Sequence, residues 1–416
     1  MWNQLLSGFL GQLIRHGSLV IIYANGHSMR YGDASPSPIV VRFHARSLPR
    51  KILMNPDLAV GEAYMGGTLT IDKDDLYGLT ELLVINLARQ TNAGLYNWHV
   101  CWRKFSRKFA QFNPIKRARR NVAHHYDLFD DLFNLFLDTD RQYSCAYFTH
   151  STDTLELAQE NKKALIASKL LLEPGHRVLE IGCGWGGLAL HLAREHRVEI
   201  TGITLSSEQH RVAEQRARAS KISDLVNFRL QDYRQVKNTF DRIVSVGMFE
   251  HVGVPHYDEF FAVVRDRLSD DGIALIHTIG RADGPGATPA WIAKYIFPGG
   301  YSPALSEVAA AIERSGLYIT DVEVLRLHYA ETLRAWRERF EANSHKVREI
   351  YDDRFCRLWR FYLVTSELAF RHFGHVVFQI QLAKKQDAAP LTRAYLSAPK
   401  PSNETMSELK QPILAE

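Results

Sequence analysis

The sequence predicts an α/β protein in which a doubly wound parallel sheet follows a smaller α+β domain. Residues 178–187 read Val-Leu-Glu-Ile-Gly-Cys-Gly-Trp-Gly-Gly, an apolar strand that runs into a glycine-rich turn. Four more apolar segments of strand length follow, with helical patterns between them. This alternation is typical of a parallel sheet covered by helices on both faces. With 416 residues, the chain is long for one core and suits two domains.

The first predicted domain, residues 1–97, consists of short elements separated by polar turns that contain glycine and proline. Its strands are expected at residues 18–23, 39–43 and 68–71, and a helix is expected at 76–87. Residues 61–67 join a further helix to the third strand. The region contains no identifiable catalytic cluster, so chemistry is expected to lie in the second domain.

A basic segment, residues 98–120, is predicted to be an amphipathic linker helix. From Arg103 to Arg120 there are eight basic residues and no acid. On a helix, one face would be aromatic, with Trp102, Phe105, Phe109 and Phe112. The other face would be basic, with Arg103, Lys104, Arg107 and Lys108. This pattern suits the surface of an anionic bilayer. An ordinary interdomain helix is nearly as good an interpretation, whereas a nucleic-acid patch is disfavoured because no nucleic-acid module accompanies it.

The second predicted domain spans residues 121–386 and carries the parallel sheet. After the first strand, the remaining strands are expected at residues 198–203, 226–230, 240–246 and 272–276. Residues 387–416 turn to alanine, proline, serine and isolated charges, which is typical of a flexible tail.

Composition excludes several classes of protein. The four cysteines have no paired spacing and no adjacent histidine cluster, so neither a disulfide framework nor a metal site is expected. No apolar run approaches the roughly 20 residues needed to cross a bilayer, and no signal peptide is evident. A cytoplasmic protein is therefore expected.

The glycine-rich turn is the most informative motif. Gly182, Gly184 and Gly186 are spaced more tightly than the Gly-x-Gly-x-x-Gly of dinucleotide enzymes, which cradle a pyrophosphate. A strand that ends in such a turn lets the backbone approach a ligand closely. The alternative is a turn that binds no ligand.

Polar residues after the next strands favour the ligand-binding interpretation. In an open α/β sheet the ligand lies across the carboxyl ends of the first strands. Thr204, Leu205 and Gln209 follow the second strand, where many nucleoside-binding folds have an acid instead of Thr204. Asp232 and Tyr233 follow the third strand and are placed to flank a base.

Four polar clusters around the sheet identify a family. They are Gln-Tyr-Ser-Cys-Ala-Tyr-Phe at 142–148, Gly-Met-Phe-Glu-His-Val-Gly at 247–253, His-Thr-Ile-Gly at 277–280 and His-Tyr-Ala-Glu-Thr-Leu at 328–333. With the glycine-rich turn, they make residues 1–385 resemble the cyclopropane-fatty-acyl-phospholipid synthases, which are similar to the mycolic acid cyclopropane synthases. The resemblance implies a Rossmann-like class I methyltransferase domain, preceded by a small α+β domain associated with lipid or membrane.

The resemblance also implies a cofactor and its contacts. The family uses S-adenosylmethionine to convert a cis double bond of a phospholipid acyl chain into a cyclopropane ring. Carried over by motif, the cofactor-binding residues are Tyr143, Ser144, Gly182, Gly184, Gly186, Thr204, Leu205, Gln209 and Tyr233. Tyr143 and Ser144 are expected to close over the methionine end.

A second implied site holds bicarbonate as the proton acceptor. Its contacts would be the side chains of Glu250, His277 and Tyr329, with backbone groups of Cys145 and Ile279. Because Glu250 and an anion repel each other when both are charged, a shared proton or a compensating His277 cation is expected. The Cys145 side chain is expected to line the pocket, since methyl transfer needs no acyl-enzyme step.

Several alternatives stay open at this point. Glu250, His277 and Tyr329 each have an ordinary structural interpretation, as a helix N-terminal acid, a buried histidine and an interface aromatic. Ser366 stands where many family members have cysteine, which leaves the fine specificity of the pocket open. Methylene- or methyl-branched products, a small-amine N-methyltransferase and a non-catalytic lipid-binding module are the competing functions.

The resemblance implies partners as well. A phospholipid membrane is the expected partner, with the protein bound peripherally at the inner face of the cell membrane and no nucleic acid involved. A homodimer is expected from the family and not from particular residues.

Overall fold

The computed structural model describes residues 1–89 and 130–397. The predicted basic helix at 98–120 lies outside the described residues. Within the described part of the chain, no helix is both long enough and apolar enough to cross a membrane.

The N-terminal domain is a four-stranded sheet covered by helices. Its elements are α1 (Trp2–Leu13), β1 (Ser18–Ile22), β2 (Ser28–Gly32), β3 (Ile39–Phe43), α2 (Leu48–Met54), α3 (Pro56–Met65), β4 (Leu69–Ile71) and α4 (Leu76–Arg89). The strand order is β2-β1-β3-β4, with β1 and β3 parallel and the outer pairs antiparallel. In α1, Leu6, Leu10 and Leu13 recur at helical spacing and are buried.

The second domain alternates helices and strands, as its sequence predicts. Its first half contains α5 (Asp130–Asn134), α6 (Leu155–Leu170), β5 (Arg177–Ile181), α7 (Gly187–His196), β6 (Glu199–Thr204), α8 (Ser207–Ala219), β7 (Val226–Leu230) and β8 (Phe240–Val246). Its second half contains α9 (Tyr257–Arg267), β9 (Leu268–Arg281), α10 (Ala290–Tyr295), α11 (Leu305–Ser315), β10 (Tyr318–Val324), α12 (His328–Ala342), α13 (Ser344–Ile350), α14 (Asp353–His372) and β11 (His375–Ala383).

The large sheet has seven strands in the order β10-β11-β9-β8-β5-β6-β7. The five predicted strands are all present and form the parallel part, from β9 to β7. The sheet is not parallel throughout, because β11 runs antiparallel to both β9 and β10. The fifth predicted strand is also longer than its apolar stretch of 272–276, since pairing with β11 extends it to Arg281.

The sheet is buried on both faces, which explains why its central strands read as continuous apolar runs. Ile243 and Val244 of β8 point to opposite faces, and both are fully buried. Because β5, β6 and β8 run parallel to one another, their carboxyl ends meet at one edge of the sheet, where the site lies.

The two domains pack directly against each other. In α3, a Cβ added at Gly61 would lie 2.4 Å from Cδ1 of Trp291 in α10, so only glycine allows this approach. Trp291 Nε1–H donates to Met65 Sδ at 3.1 Å. Glu62 accepts hydrogen bonds from Lys294 Nζ at 2.6 Å and Tyr295 Oη at 2.8 Å. Helices α3 and α4 also pack along α14.

Part of the predicted tail is packed as well. Residues Arg393–Ser397 form a short 3₁₀ helix. Within it, Tyr395 Oη donates to Gln381 of β11 at 3.2 Å and Arg393 pairs with Asp321 at 3.1 Å. The rest of the predicted tail beyond Ser397 lies outside the described residues.

Candidate active site

The glycine-rich turn between β5 and α7 has left-handed backbone at each of its three predicted glycines. At Gly182 (φ +86°) an added Cβ would lie 2.8 Å from Met248 Cβ, and at Gly186 (φ +82°) it would lie 2.6 Å from Phe228 Cζ. At Gly184 (φ +53°) a Cβ would meet nothing within 4 Å. Packing therefore excludes side chains at Gly182 and Gly186, whereas Gly184 borders open space that a ligand can enter.

A cavity of about 140 Å³ lies over this turn at the carboxyl ends of β5, β6 and β8. Eight of the nine predicted cofactor residues line it: Tyr143, Ser144, Gly182, Gly184, Thr204, Leu205, Gln209 and Tyr233. The ninth, Gly186, lies beneath the turn against Phe228 and is not part of the lining.

Thr204 takes a structural role at the position where an acid is common. Its hydroxyl donates to Gln209 Oε1 at 2.9 Å, and it accepts the Ser206 amide at 3.2 Å. Asp232, after β7, accepts hydrogen bonds from the Arg234 amide at 3.0 Å and guanidinium at 2.8 Å. The polar groups at the ends of β6 and β7 are thus held in place before any ligand arrives.

A second, larger cavity of about 430 Å³ adjoins the first. All five predicted bicarbonate-site residues line it: Glu250, His277, Tyr329, Cys145 and Ile279. Four residues line both cavities and mark where they meet: Tyr143, Ser144, Gly247 and His251. A group held in one cavity can therefore be presented to a group held in the other.

Glu250 is buried and only half satisfied. Its Oε1 accepts the backbone N–H of Ile279 at 2.6 Å, while its Oε2 has no hydrogen-bond partner among the described residues. Burial raises the pKa of Glu250 to about 7, although the Ile279 hydrogen bond opposes the rise. The structure thus gives the Ile279 amide a different partner from the predicted one, because it supports Glu250 instead of a separate anion.

His277 is fully enclosed and neutral. The pKa of His277 is lowered to about 3, mainly by burial and in part by the nearby positive charges of Lys162 and Lys169. Of the two predicted ways to relieve repulsion at Glu250, burial therefore disfavours a His277 cation and favours a protonated acid. The orientation of the His277 ring is also set, because Gln379 Nε2 lies 3.1 Å from His277 Nδ1.

The tautomer of His277 follows from the neighbours of Gln379. Lys169 Nζ, which can only donate, lies 2.7 Å from Gln379 Oε1. The Gln379 amide nitrogen therefore faces His277 and donates to Nδ1, which leaves the ring proton on Nε2. The imidazole can then donate a hydrogen bond from Nε2.

The other two side chains of this group are held by packing. The Tyr329 ring lies 4.8 Å from Phe370 and 5.8 Å from Trp336. The Cys145 thiol is fully buried, and burial raises its pKa far above the usual range. A thiol held protonated in this way is a poor nucleophile, in agreement with the prediction that it lines the pocket.

Comparison with known proteins identifies the family. Residues 114–380 match the family described as mycolic acid cyclopropane synthetase, and residues 6–92 match a domain of unknown function, DUF7884. The chain is 39% identical over 348 residues to the cyclopropane-fatty-acyl-phospholipid synthase of Escherichia coli (strain K12), and the alignment covers 84% of this chain and 88% of that protein. It is 34% identical over 389 residues to the tuberculostearic acid methyltransferase UfaA1 of Mycobacterium tuberculosis (strain ATCC 25618 / H37Rv), and the alignment covers 89% of this chain and 88% of that protein. The crystal structure of mycolic acid cyclopropane synthase CmaA1 complexed with SAH and CTAB superposes with a TM-score of 0.61 at 33% identity, covering 65% of this chain and 99% of that chain.

The chain belongs to the mycolic acid cyclopropane synthetase family. It is therefore an S-adenosylmethionine-dependent methyltransferase of the class I α/β fold. The predicted family and fold class are both confirmed.

Glu180 is a candidate cofactor-site residue that the sequence-based assignment missed. It is the last residue but one of β5 and lines the smaller cavity, and its Oε2 is buried with no hydrogen-bond partner among the described residues. Burial raises the pKa of Glu180 to about 8, although the nearby Lys162 opposes the rise. An unsatisfied buried acid fits a cationic ligand such as S-adenosylmethionine, which carries an ammonium and a sulfonium. The signal in the sequence that could have identified Glu180 is its position just before the glycine-rich turn.

Lys162 was also missed, because nothing in the sequence distinguishes it from a surface lysine. Although it lies on α6, its side chain is fully buried, and Nζ donates to Gln142 Oε1 at 2.6 Å and to Ser144 Oγ at 2.9 Å. Burial lowers the pKa of Lys162 to about 8. These bonds fix the segment that carries Tyr143, Ser144 and Cys145, where the two cavities meet.

Proposed function

We propose that this enzyme transfers the methyl group of S-adenosylmethionine to the cis double bond of an unsaturated phospholipid acyl chain and closes a cyclopropane ring. The observation that carries the proposal is the junction of the two cavities. One cavity has the polar groups that suit a nucleoside and an amino acid, and the other is mainly apolar with an acid and a histidine beside the junction. The name and coverage of the Escherichia coli relative support the same substrate.

The chemistry requires close alignment and a base. S-adenosylmethionine supplies an electrophilic methyl on a sulfonium. An alkene is a weak nucleophile, so the enzyme must hold the double bond in line with that methyl. When an alkene carbon takes the methyl, the carbon–sulfur bond breaks and a cation forms at the neighbouring chain carbon. A base then removes a proton from the added methyl, and the released electron pair closes the ring.

We propose that bicarbonate, bound beside Glu250, His277 and Tyr329, supplies that base. A protonated Glu250 can donate a hydrogen bond from its unsatisfied Oε2, and His277 can donate from Nε2. Tyr329 adds a hydroxyl to the same wall of the cavity. Neutral donors of this kind hold an anion without a competing carboxylate charge, and negative charge in a buried site stabilises a developing cation.

Removing carbonate tests this base directly. Turnover in buffer stripped of carbonate is expected to fall and to return when bicarbonate is added, while the dissociation constant for the cofactor stays the same. Acetate at the same ionic strength serves as the control salt. Unchanged turnover in carbonate-free buffer would show that a protein side chain is the base.

The product is tested with lipid vesicles. Purified enzyme, labelled cofactor and vesicles of unsaturated phospholipid are expected to yield labelled acyl chains with ring methylene signals in the proton spectrum. Label transferred to a panel of small amines instead would overturn the proposal in favour of an N-methyltransferase. Vesicle binding without transfer would favour a lipid-binding module.

A second candidate shares the substrate and the first cation but does not close a ring. The similarity to the tuberculostearic acid methyltransferase UfaA1 favours it, since that name describes a methyltransferase instead of a cyclopropane synthase. Loss of a proton from a chain carbon next to the cation would give a methyl-branched alkene, whereas a hydride shift from the methylated carbon to the cation, followed by loss of a methyl proton, would give a methylene branch. Vinylic methylene signals without ring signals in the same spectrum would establish this outcome.

The proposed setting is the cytoplasmic face of the cell membrane. The protein would bind there peripherally, because its substrate is a membrane lipid, and it would work as a homodimer, as expected from the family. Sedimentation with vesicles and light scattering of the purified protein measure these two properties separately.

A further inference from the structure

The larger cavity continues from the catalytic residues into the N-terminal domain. At one end it is lined by Glu250, His277 and Tyr329. At the other end it is lined by eighteen residues of the N-terminal domain, which come from α1, β1, β3, α2, α3, β4 and α4. The domain is therefore part of the wall of the substrate cavity.

The end of the cavity in the N-terminal domain is almost entirely apolar. Of its eighteen lining residues, sixteen are apolar, and the two exceptions are Asp57 and Thr80. The Thr80 hydroxyl is already used within α4, where it donates to the Leu76 carbonyl at 2.8 Å. Burying an unpaired polar or charged group against such a wall is costly, so an apolar ligand segment fits it and a phospholipid headgroup does not.

The length of the cavity matches an extended acyl chain. Phe361, Thr365 and Phe370 line it along α14, and Phe373 lines it at the C-cap of the same helix. Twelve residues separate the first from the last, which at about 1.5 Å per residue is about 18 Å. An extended polypeptide advances about 3.3–3.6 Å per residue, which is three backbone bonds, and an alkyl chain with similar bond lengths and angles advances by about the same amount, so about 15 carbon–carbon bonds fit along this wall.

We infer that the N-terminal domain binds the methyl-terminal part of the acyl chain and thereby selects how far the reactive double bond lies from the methyl end. This inference rests on the proposed function, because it assigns an acyl chain to the cavity. The headgroup end must then lie toward the catalytic domain, since the N-terminal end offers an apolar wall. The depth of the pocket then determines which double bond reacts. A double bond lies at the junction with the cofactor cavity only when the methyl-terminal segment beyond it fits into the N-terminal end of the pocket.

Two adjacent residues of α4 provide a matched test. Val84 and Ile85 are both half-buried and β-branched, but Val84 lines the cavity and Ile85 does not. The Val84→Trp and Ile85→Trp variants would be assayed with phospholipids of one headgroup whose cis double bond lies at increasing distances from the methyl end. For Val84→Trp, turnover on chains with the longest methyl-terminal segments is expected to fall at least about tenfold, while chains with short segments keep the parent rate. Ile85→Trp should follow the parent on every chain.

A milder variant and a second measurement guard against misfolding. Val84→Phe should shift the preference in the same direction by a smaller amount, and the cofactor dissociation constant should match the parent in all three variants. If Val84→Trp and Val84→Phe process every chain in the parent's proportions, the domain does not select the double bond and the inference is wrong.

Binding of a fluorescent fatty acid separates this inference from the proposed function. Measured with cofactor-loaded protein, its affinity is expected to fall in Val84→Trp and not in Ile85→Trp. If no lipid is methylated by any form of the protein but this difference in binding remains, the proposed function fails and the acyl-chain site stands. Equal probe affinity in both variants and the parent would overturn the acyl-chain site.

Discussion

At the scale of single residues, the site keeps Glu250 in a protonation state that water would not favour. Its pKa rises from 4.5 to about 7 because the carboxyl is buried, so the folded protein binds more protons there than the unfolded chain between those values. Stability from this group is fully present below pH 4.5 and is lost as the pH rises toward 7. The proposed function thus depends on an acid that makes the fold less stable at neutral and alkaline pH.

The Glu250→Gln variant is expected to be more stable and nearly inactive. At pH 8 its free energy of unfolding should exceed that of the parent by about 1–3 kcal/mol, whereas near pH 4 the two should converge. Its turnover should fall by about 10²–10⁴-fold, as should that of His277→Ala, with cofactor affinity unchanged. Denaturant titrations across pH test the first statement and steady-state kinetics the second, with the exposed Glu313→Gln as control. A Glu250→Gln variant that keeps parent turnover would remove Glu250 from the base site.

Gln379 is expected to act on the proposed reaction through its hydrogen bond to His277. In Gln379→Glu the carboxylate still accepts from Lys169, but it also accepts from His277 Nδ1 and so moves the ring proton away from Nε2. Turnover is expected to fall by about 100-fold with little change in KM for the lipid, because the donor into the cavity is lost. Nitrogen NMR shifts of the His277 ring should report the change of tautomer. A variant with reduced turnover and an unchanged ring tautomer would indicate a purely structural role.

At the scale of elements, the strand–turn–helix unit separates packing from ligand binding. Gly186→Ala places a Cβ against Phe228, so it is expected to lower the free energy of unfolding by about 2 kcal/mol or more even without cofactor. Gly184→Ala places a Cβ in open cavity, so it should cost only about 1–2 kcal/mol of backbone strain but weaken cofactor binding more than tenfold. Thermal melts and calorimetric titration with the cofactor product would distinguish the two. Equal effects of both changes on cofactor affinity would contradict this division.

Elements with a strong local pattern could be predicted from the sequence, and those defined by distant contacts could not. The five parallel strands have apolar runs bounded by turns, and each is found within a few residues of its predicted position. The strands β10 and β11 are not among the predicted strands: β11 has an apolar alternating run of its own, but nothing local indicates that it pairs antiparallel with β9 or that β10 lies at the edge of the sheet. For the same reason, Lys162 and Gln379 could not be recognised, since their importance depends on buried partners up to 210 residues away.

At the scale of the whole molecule, the proposed function requires a buried catalytic centre to receive an acyl chain from a bilayer. The reacting carbons lie well below the headgroups, and the polar groups at Glu250 and His277 cannot enter hydrocarbon without a large desolvation cost. Drawing the chain out into the apolar cavity avoids that cost. The protein must then stay at the membrane surface while the chain moves, which requires an anchor of its own.

The basic segment at 98–120 is the predicted anchor, and its charge makes the prediction testable. Each Lys or Arg near an anionic surface contributes about 1 kcal/mol, and this attraction is screened over about 8 Å at physiological salt. Changing Arg103, Lys104, Arg107 and Lys108 to glutamine should therefore raise the concentration of anionic vesicles needed for half-maximal binding, and salt should have less effect than in the parent. Activity on detergent-solubilised lipid should stay nearly intact, because solubilised lipid reaches the enzyme without electrostatic attraction to a charged bilayer.

A matched control removes the same charge from elsewhere on the surface. Lys221, Arg229, Lys346 and Arg354 are exposed on the catalytic domain, and their joint replacement by glutamine should leave vesicle binding much closer to that of the parent. A difference between the two quadruple variants in a sedimentation assay would place the electrostatic contact at the basic segment. If both bind as the parent does, the segment is an interdomain linker and other surfaces hold the enzyme at the membrane while the N-terminal domain takes up the chain.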